Sequence, residues 1–413
     1  MLHAIASAQS ILAAIFMLMA GTGFVTSLIA VQLESAGYSA PMIGLVQTAY
    51  YVGLTIGSLR FLPLIRRVGH IRAFAAAVSL LSASTLTYAI NQNGALWLAL
   101  RLVDGFCIAG VFVCLESWLN ERADAATRGT LLAGYMIALY AGQASGQFLI
   151  NLADNPRLPF IIASLFVSIS VLPIALTRLE GPAVAAQQAL SPAALYTASP
   201  LGMMGVGMTG LMLGAFYSLG AVFARRLGVE LSQTALFMSI AIAGGVALQW
   251  PIGWLSDRID RRKVIVGTLI AFAPACLALA LIDAPGMALI GLGFIFGGLA
   301  FALYPLCVAH TNDHLSPEER VGASGGLVLV YSVGAAAGPM AGSSAMAAFG
   351  PGGLFVFIGT CTVLTLAFAL WRQMARAAVP GELQQPYQIL PRTTPMAASL
   401  DPLSPEDHST DRV

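Results

Sequence analysis

The chain has 413 residues, of which 58% are hydrophobic and only 9% charged, with a mean hydropathy of +0.81 and a formal net charge of +1. Soluble domains carry about 25% charged residues, so this composition excludes an ordinary soluble protein, and the near-zero charge without a basic stripe excludes a nucleic-acid binder. The apolar stretches are long and continuous, not short and alternating, which argues against an outer-membrane barrel and for an all-α polytopic membrane protein.

A helix needs about 20 apolar residues to cross the hydrocarbon layer. Twelve such stretches follow one another: roughly 10–33, 42–62, 71–90, 95–119, 129–151 and 159–177, then 201–223, 233–254, 264–282, 286–309, 321–345 and 353–372. Breakers such as Gly37, Pro41, Gly94, Pro156, Gly228 and Pro285 fall between them. The expected organisation is a six-helix bundle over 1–177, a linker over 178–200, a second six-helix bundle over 201–376, and a disordered tail over 377–413 that is rich in Pro and polar residues. Cys107, Cys114, Cys276, Cys307 and Cys361 all lie in apolar stretches without metal-ligand or CxxC spacing, so neither a disulfide framework nor a metal site is expected. The first apolar run is too long for a signal-peptide core and no Lys or Arg precedes it.

Loop cations set the expected orientation. With both termini in the cytoplasm, one face holds 16 Lys and Arg, including Arg66, Arg67, Arg72, Arg128, Arg258, Arg261, Arg262, Lys263, Arg320 and Arg392; the other holds three, Arg157, Arg225 and Arg226, and Arg101 stays within a span. The short loops and the absence of secretory features give a bacterial inner membrane as the expected location. Trp97, Trp118, Trp250, Trp254 and Trp371 fall near span ends, where interfacial rings settle.

An offset of 192 residues brings Gly53 onto Gly245, Arg66 onto Arg258, Gly105 onto Gly297, Asn120-Glu121 onto Asn312-Asp313 and Arg128 onto Arg320. Several matches at one offset argue for two homologous halves, an arrangement in which parallel repeats hold a solute site between them.

The stretch Gly253-Trp-Leu-Ser-Asp257-Arg258-Ile-Asp260-Arg261-Arg262-Lys263 resembles the signature loop of the major facilitator superfamily, with Asp260 in place of that pattern's glycine. Its first-half counterpart, Arg66-Arg67-Val68-Gly69-His70-Ile71-Arg72, is degraded and lacks the expected Asp. Arg101-Leu-Val-Asp104-Gly105 in the fourth span, and Gly334, Gly338-Pro339 and Gly342 in the eleventh, are similar to further elements of that family. Leu115-Glu116-Ser117, Gln249-Trp250-Pro251-Ile252-Gly253 and Leu303-Tyr304-Pro305 resemble the YcaD-like branch. The likeness covers about residues 10–375 and implies twelve transmembrane helices in two pseudo-symmetric bundles. It also implies that Asp257 meets the start of the fifth span, near Gly129, in one access state.

Within the spans, charge is expensive and marks function. Arg101 and Asp104, at i and i+3, share a helical face and can pair. Glu116 lies about 60° round the same helix, so all three are expected on one aqueous cavity. There Asp104 would exchange a proton, Arg101 would adjust its proton affinity through charge, and Glu116 would be a gate or second proton site; the alternative is a structural ion pair. Gly253, Asp257, Arg258, Arg261 and Arg262 form a candidate conformational gating loop. Cavity candidates are Gln47, Tyr51, Tyr140, Gln143, Tyr217, Gln249, Tyr304 and Tyr331, with Gln147 beside them. His310 and His314 are read as a solvated span end in preference to a pH sensor. Gly142 and Gly146, like Gly334, Gly338 and Gly342, are spaced to let helices approach closely.

No nucleotide-binding loop occurs and no catalytic constellation is visible. The expected function is secondary active transport of a small solute by alternating access, proton-coupled, with efflux as the first direction. An uptake permease for a nutrient or vitamin-like solute, or a passive facilitator, are the alternatives. The expected partners are the solute, the bilayer and protons, with no cofactor, no metal and no nucleic acid, in a monomer.

Overall fold

The computed structural model describes residues 2–124, 126–152, 155–177, 189–375, 379–380 and 384–402, with side chains described from residue 8 onward. Residues 178–188 of the linker, and 376–378, 381–383 and 403–413 of the C-terminal region, with Arg178, Arg376 and Arg412, lie outside the described residues.

The first half consists of α1 (Leu2–Thr22), α2 (Val25–Ser35), α3 (Ala40–Val68), α4 (His70–Ile90), α5 (Gly94–Glu121), α6 (Arg128–Gly146), α7 (Leu158–Ile169) and the short α8 (Leu172–Ala175). After α9 (Pro192–Ala198) come α10 (Pro200–Arg226), α11 (Leu231–Ser256), α12 (Arg261–Leu281), α13 (Met287–Asn312), α14 (Pro317–Phe349) and α15 (Gly353–Ala375). Helices α1 and α2 make one crossing bent at Gly21–Gly23, and α7 with α8 makes another. Among the described residues, eleven helical crossings are long and apolar enough to span a membrane. The twelfth is α6, whose glycines, Gln143 and Ser145 lower its hydropathy, continued by a 3-10 turn over Gln147–Leu152.

The two halves repeat each other contact by contact. The packing of α3 on α5 recurs as α11 on α13, α1 on α6 as α10 on α14, and α4 on α7 as α12 on α15. Glycines make these approaches possible. A Cβ on Gly105 would overlap the Tyr50 carbonyl oxygen, and one on its repeat mate Gly297 would overlap that of Ala241. Gly142 and Gly146 of α6 sit against the backbone of Phe16 and Ala20, and their mates Gly334 and Gly338 of α14 sit against Gly207 and Leu211. Gly37 and Gly228, at φ +80° and +78°, close the corresponding turns after α2 and α10.

The halves meet through equivalent surfaces. Thr48 of α3 donates to the Ala336 carbonyl of α14 at 2.9 Å, and Ser239 of α11 donates to the Ala144 carbonyl of α6 at 2.8 Å. At the arginine-poor end, Arg226 of α10 makes a bidentate pair with Glu34 of α2, at 2.7 and 2.9 Å. These two residues are themselves 192 apart, so they are repeat mates meeting across the pseudo-axis.

Two expectations about span ends fail. Trp97 and Trp118 are core residues, not interfacial ones: Trp97 donates to the Asn91 carbonyl at 2.6 Å and packs edge-on against Tyr88 and Phe160. His310 is buried rather than solvated, although His314 a turn later is only partly so; the two rings lie 4.9 Å apart.

Candidate functional site

The charged residues of α5 do not converge. Arg101 and Asp104 are both buried but make no ion pair. Arg101 points towards α2 and α3, where its Nη2 donates to Thr26 Oγ1 at 2.9 Å and Gln47 Oε1 at 3.0 Å, and its guanidinium lies 4.1 Å from the centre of the Tyr50 ring. Gln47 in turn donates to the Thr26 carbonyl at 2.8 Å. Asp104 points the other way, into the interior of the first bundle, and accepts from Tyr88 at 2.6 Å. The two share a helical face, yet the expected pair does not form, because Thr26, Gln47 and the Tyr50 ring take up the Arg101 guanidinium and Tyr88 of α4 takes up the Asp104 carboxylate.

Glu116, about three turns beyond Asp104, is fully buried at the boundary between the halves. It accepts from Tyr135 of α6 at 2.7 Å. Its other partners come from the C-terminal region: Thr393 and Thr394 donate their hydroxyls to its two oxygens. Residues 384–402 are therefore not a disordered tail. They run from the loop after α11 across the cleft between the halves and finish as a 3-10 turn, Pro395–Leu400, packed on α5, α6 and α14 with Leu390, Ala397, Ala398 and Leu400 buried. Tyr387, Ile389, Leu390, Met396 and Leu400 supply the apolar area that a disordered segment lacks.

Most of the candidate gating loop is gathered by this segment. The Tyr387 ring lies on Gly253, where a Cβ would overlap it, and the Tyr387 N–H donates to Asp257 Oδ1 at 2.7 Å. Arg261, buried, donates from Nη1 to both Asp313 oxygens at 2.7 Å, and from Nη2 to Asp257 at 3.3 Å and the Gln385 carbonyl at 2.6 Å. The Gln385 N–H returns to Asp313 at 2.8 Å, and Arg320 donates to the Gln385 side chain at 3.0 Å. Asp257 thus receives the C-terminal segment where the first turn of α6 was expected; Gly129 of that turn faces Pro402 instead. Arg258 stacks on Trp254 at 3.6 Å and Arg262 pairs with Asp260 at 2.9 Å. Partial burial pushes the Asp260 carboxyl up, but the hydrogen bonds from Arg262 outweigh it and hold it below the usual carboxylate range.

The aromatic candidates do meet. Tyr140 and Tyr217 flank Phe301, with ring centres 5.8 and 5.9 Å away, and Tyr304 packs edge-on against Tyr331 at 5.4 Å. Arg392 enters this group: its guanidinium lies 4.7 Å from the Phe301 ring and 5.6 Å from the Tyr331 ring, and it reaches the Tyr217 hydroxyl at 3.4 Å. Tyr51 is half-buried beside Tyr50. Gln249 of α11 is buried against α13, its side-chain amide 3.5 Å from the Phe301 carbonyl. Gln143 packs on Gly23, and Gln147 donates to the Gly23 carbonyl at 2.9 Å; both serve helix packing.

Sequence reasoning missed Phe301, Tyr135 and the segment containing Tyr387, Arg392, Thr393 and Thr394. The apolar residues among 387–400 were a signal for the last of these. Glu34 and Arg226, opposite charges at one repeat position, were a signal for the contact across the axis.

Two six-helix bundles related by a parallel repeat, closed at one end and lined with buried polar and aromatic groups towards the other, define a multi-pass membrane carrier. The Major Facilitator Superfamily family model matches residues 11–216 and again 201–400. An uncharacterized MFS-type transporter, YcaD, of Escherichia fergusonii is 28% identical over 333 residues, covering 79% of this chain and 86% of that one. Its namesake in Salmonella enteritidis is 26% identical over 373 residues, covering 87% and 94%. Among solved structures, the nucleoside transporter NupG (D323A mutant) superposes with a TM-score of 0.75 at 16% identity, covering 89% of this chain and 99% of that one. A bacterial homolog of the human lysosomal transporter Spinster, inward-facing and occupied, gives 0.73 at 16% identity, covering 92% and 98%. The chain belongs to the Major Facilitator Superfamily and is a membrane transporter of that fold.

Proposed function

We propose that this transporter moves a small solute by alternating access, driven by protons, with export as its direction. It acts as a monomer in a bacterial inner membrane with both termini in the cytoplasm. The observation that carries this reading is the asymmetry of the contact between the halves. The arginine-poor end is shut by Glu34–Arg226, whereas at the other end the halves are bridged by residues 384–402. The positive-inside rule assigns that second end to the cytoplasm, and this supports reading the arrangement as inward-facing, with its opening filled by residues 384–402.

Of the candidate coupling residues, Glu116 fits proton exchange best, because two of its three hydroxyl partners, Thr393 and Thr394, belong to a segment that can move away, leaving Tyr135 of α6. Arg101 and Asp104 would position α5 against α2, α3 and α4. Loss of the carboxylate charge at Glu116 should uncouple transport, since only an ionisable group can carry the proton.

The test compares solutes inside and outside cells producing wild type, Glu116→Gln, Asp104→Asn or no protein, with and without a protonophore. One compound is expected to be depleted from wild-type cells only, and the protonophore should abolish the effect. Glu116→Gln should lose at least about tenfold of the gradient-driven flux, while Asp104→Asn keeps most of it. Accumulation inside the cell would reverse the direction. Insensitivity to the protonophore would leave a passive facilitator, and a loss confined to Asp104→Asn would return the proton to that residue.

A further inference from the structure

The chemistry of what now fills the cleft says what the cleft can hold. A guanidinium, from Arg392, sits against Phe301 and Tyr331 and within reach of the Tyr217 hydroxyl. No carboxylate among the described residues lies within ion-pair distance of it. Next along the chain, the hydroxyls of Thr393 and Thr394 take up both oxygens of Glu116. The site therefore receives a cation on aromatic faces and hydrogen-bond donors on a buried carboxylate, all from one short run of chain.

We propose that this cleft is the binding site for an organic cation, a solute with a guanidinium or ammonium group and a neighbouring hydrogen-bond donor. Residues 384–402 are a built-in competitor for it. The proposal rests on reading the cleft as the solute path. A cation is stabilised over aromatic faces, and more strongly when desolvated. A buried cation without an anionic partner is nevertheless costly, so Arg392 occupies the site without saturating what it offers. A free solute is not tied to a chain. It can bring its cation closer to Glu116, at the other end of the same site, and so gain an ion pair that Arg392 lacks. The anchors at the far end of the segment, Tyr387 on Gly253 and Asp257 and Gln385 on Arg261 and Asp313, are hydrogen bonds and a ring contact, which break and re-form without covalent change.

A plug seated in about nine-tenths of molecules lowers the apparent affinity of a competing ligand about tenfold. Calorimetry on the purified full-length protein, with butylguanidinium and its uncharged isostere butylurea as probes, reads this directly. Arg392→Gln should bind butylguanidinium up to about tenfold more tightly than wild type, and Arg392→Lys, which keeps the cation, should behave as wild type. Thr393→Val/Thr394→Val, which loosens the same segment without changing a charge, should shift affinity in the same direction as Arg392→Gln. Adding Phe301→Leu to Arg392→Gln should remove the gain. Equal affinity in wild type and in both loosened variants would overturn the competitor, and butylurea binding as tightly as butylguanidinium would overturn the cation site. The transport reading fails separately: a variant that binds the cation but supports no flux of it in proteoliposomes overturns transport and leaves the site standing.

Discussion

Arg101 shows how a buried charge is accommodated when its expected partner turns away. Its guanidinium relies on Thr26, Gln47 and the Tyr50 ring, none of them an anion. Removing one acceptor while the donor remains should cost more than removing both, because an unsatisfied buried donor bears its full desolvation penalty. Gln47→Leu is therefore expected to destabilise the folded protein by about 2 kcal/mol. Arg101→Leu/Gln47→Leu should be less damaging than the sum of the single changes. Melting temperatures in detergent check this, and strict additivity would refute it. Both residues stand out in the sequence as polar groups within spans. Their pairing does not, because Thr26 and Gln47 come from other helices and no local spacing encodes which one α5 meets.

At the scale of the helix, the glycines decide how closely the crossings pack. Gly105 and Gly297 occupy equivalent places in α5 and α13, and each faces the backbone of the neighbouring helix so closely that a methyl group does not fit. Either one changed to Ala forces two helices apart, at about 1–3 kcal/mol. Gly267 and Gly291 have nothing within reach of a Cβ, and Ala there should be neutral or slightly stabilising, by helix propensity. Thermal unfolding of the four variants separates the pairs; a loss of stability at Gly291→Ala comparable to that at Gly105→Ala would show that helix approach is not the cause. The equivalence of Gly105 and Gly297 is legible in the 192-residue offset alone. That these glycines face α3 and α11 required the bundle itself. At Asp257, the first turn of α6 is the partner that the family likeness implies in one access state; in this conformation a segment distant in sequence lies there instead.

For the whole molecule, one ion pair joins the halves at the arginine-poor end, where α2 also packs on α10. Glu34 and Arg226 are repeat mates, about a quarter exposed, and are the ion pair seen between the halves among the described residues. A partly exposed pair of this kind contributes about 1 kcal/mol, enough to change the ratio of two access states about fivefold. Glu34→Gln should raise the labelling rate of a cysteine placed in the cleft by a reagent added from the arginine-poor side. The charge swap Glu34→Arg/Arg226→Glu should restore the wild-type rate. A swap that labels like the single variant would mean that the pair does not hold that end closed.

The crossings, the repeat and the family can all be read from the chain alone, because each rests on a quantity local to it: apolar length, a fixed offset and a contiguous motif. The same reading picks out Tyr140, Tyr217, Tyr304 and Tyr331, whose rings meet one another or Phe301 in the structure. Which charges meet was settled by packing in three dimensions. Arg101 and Asp104, three residues apart, look in different directions. Glu116 and Thr393, 277 residues apart, share a hydrogen bond. Burial is expensive for every polar group, so each takes whichever partner the packed bundles bring within reach, and no stretch of sequence short enough to read as a motif contains both partners.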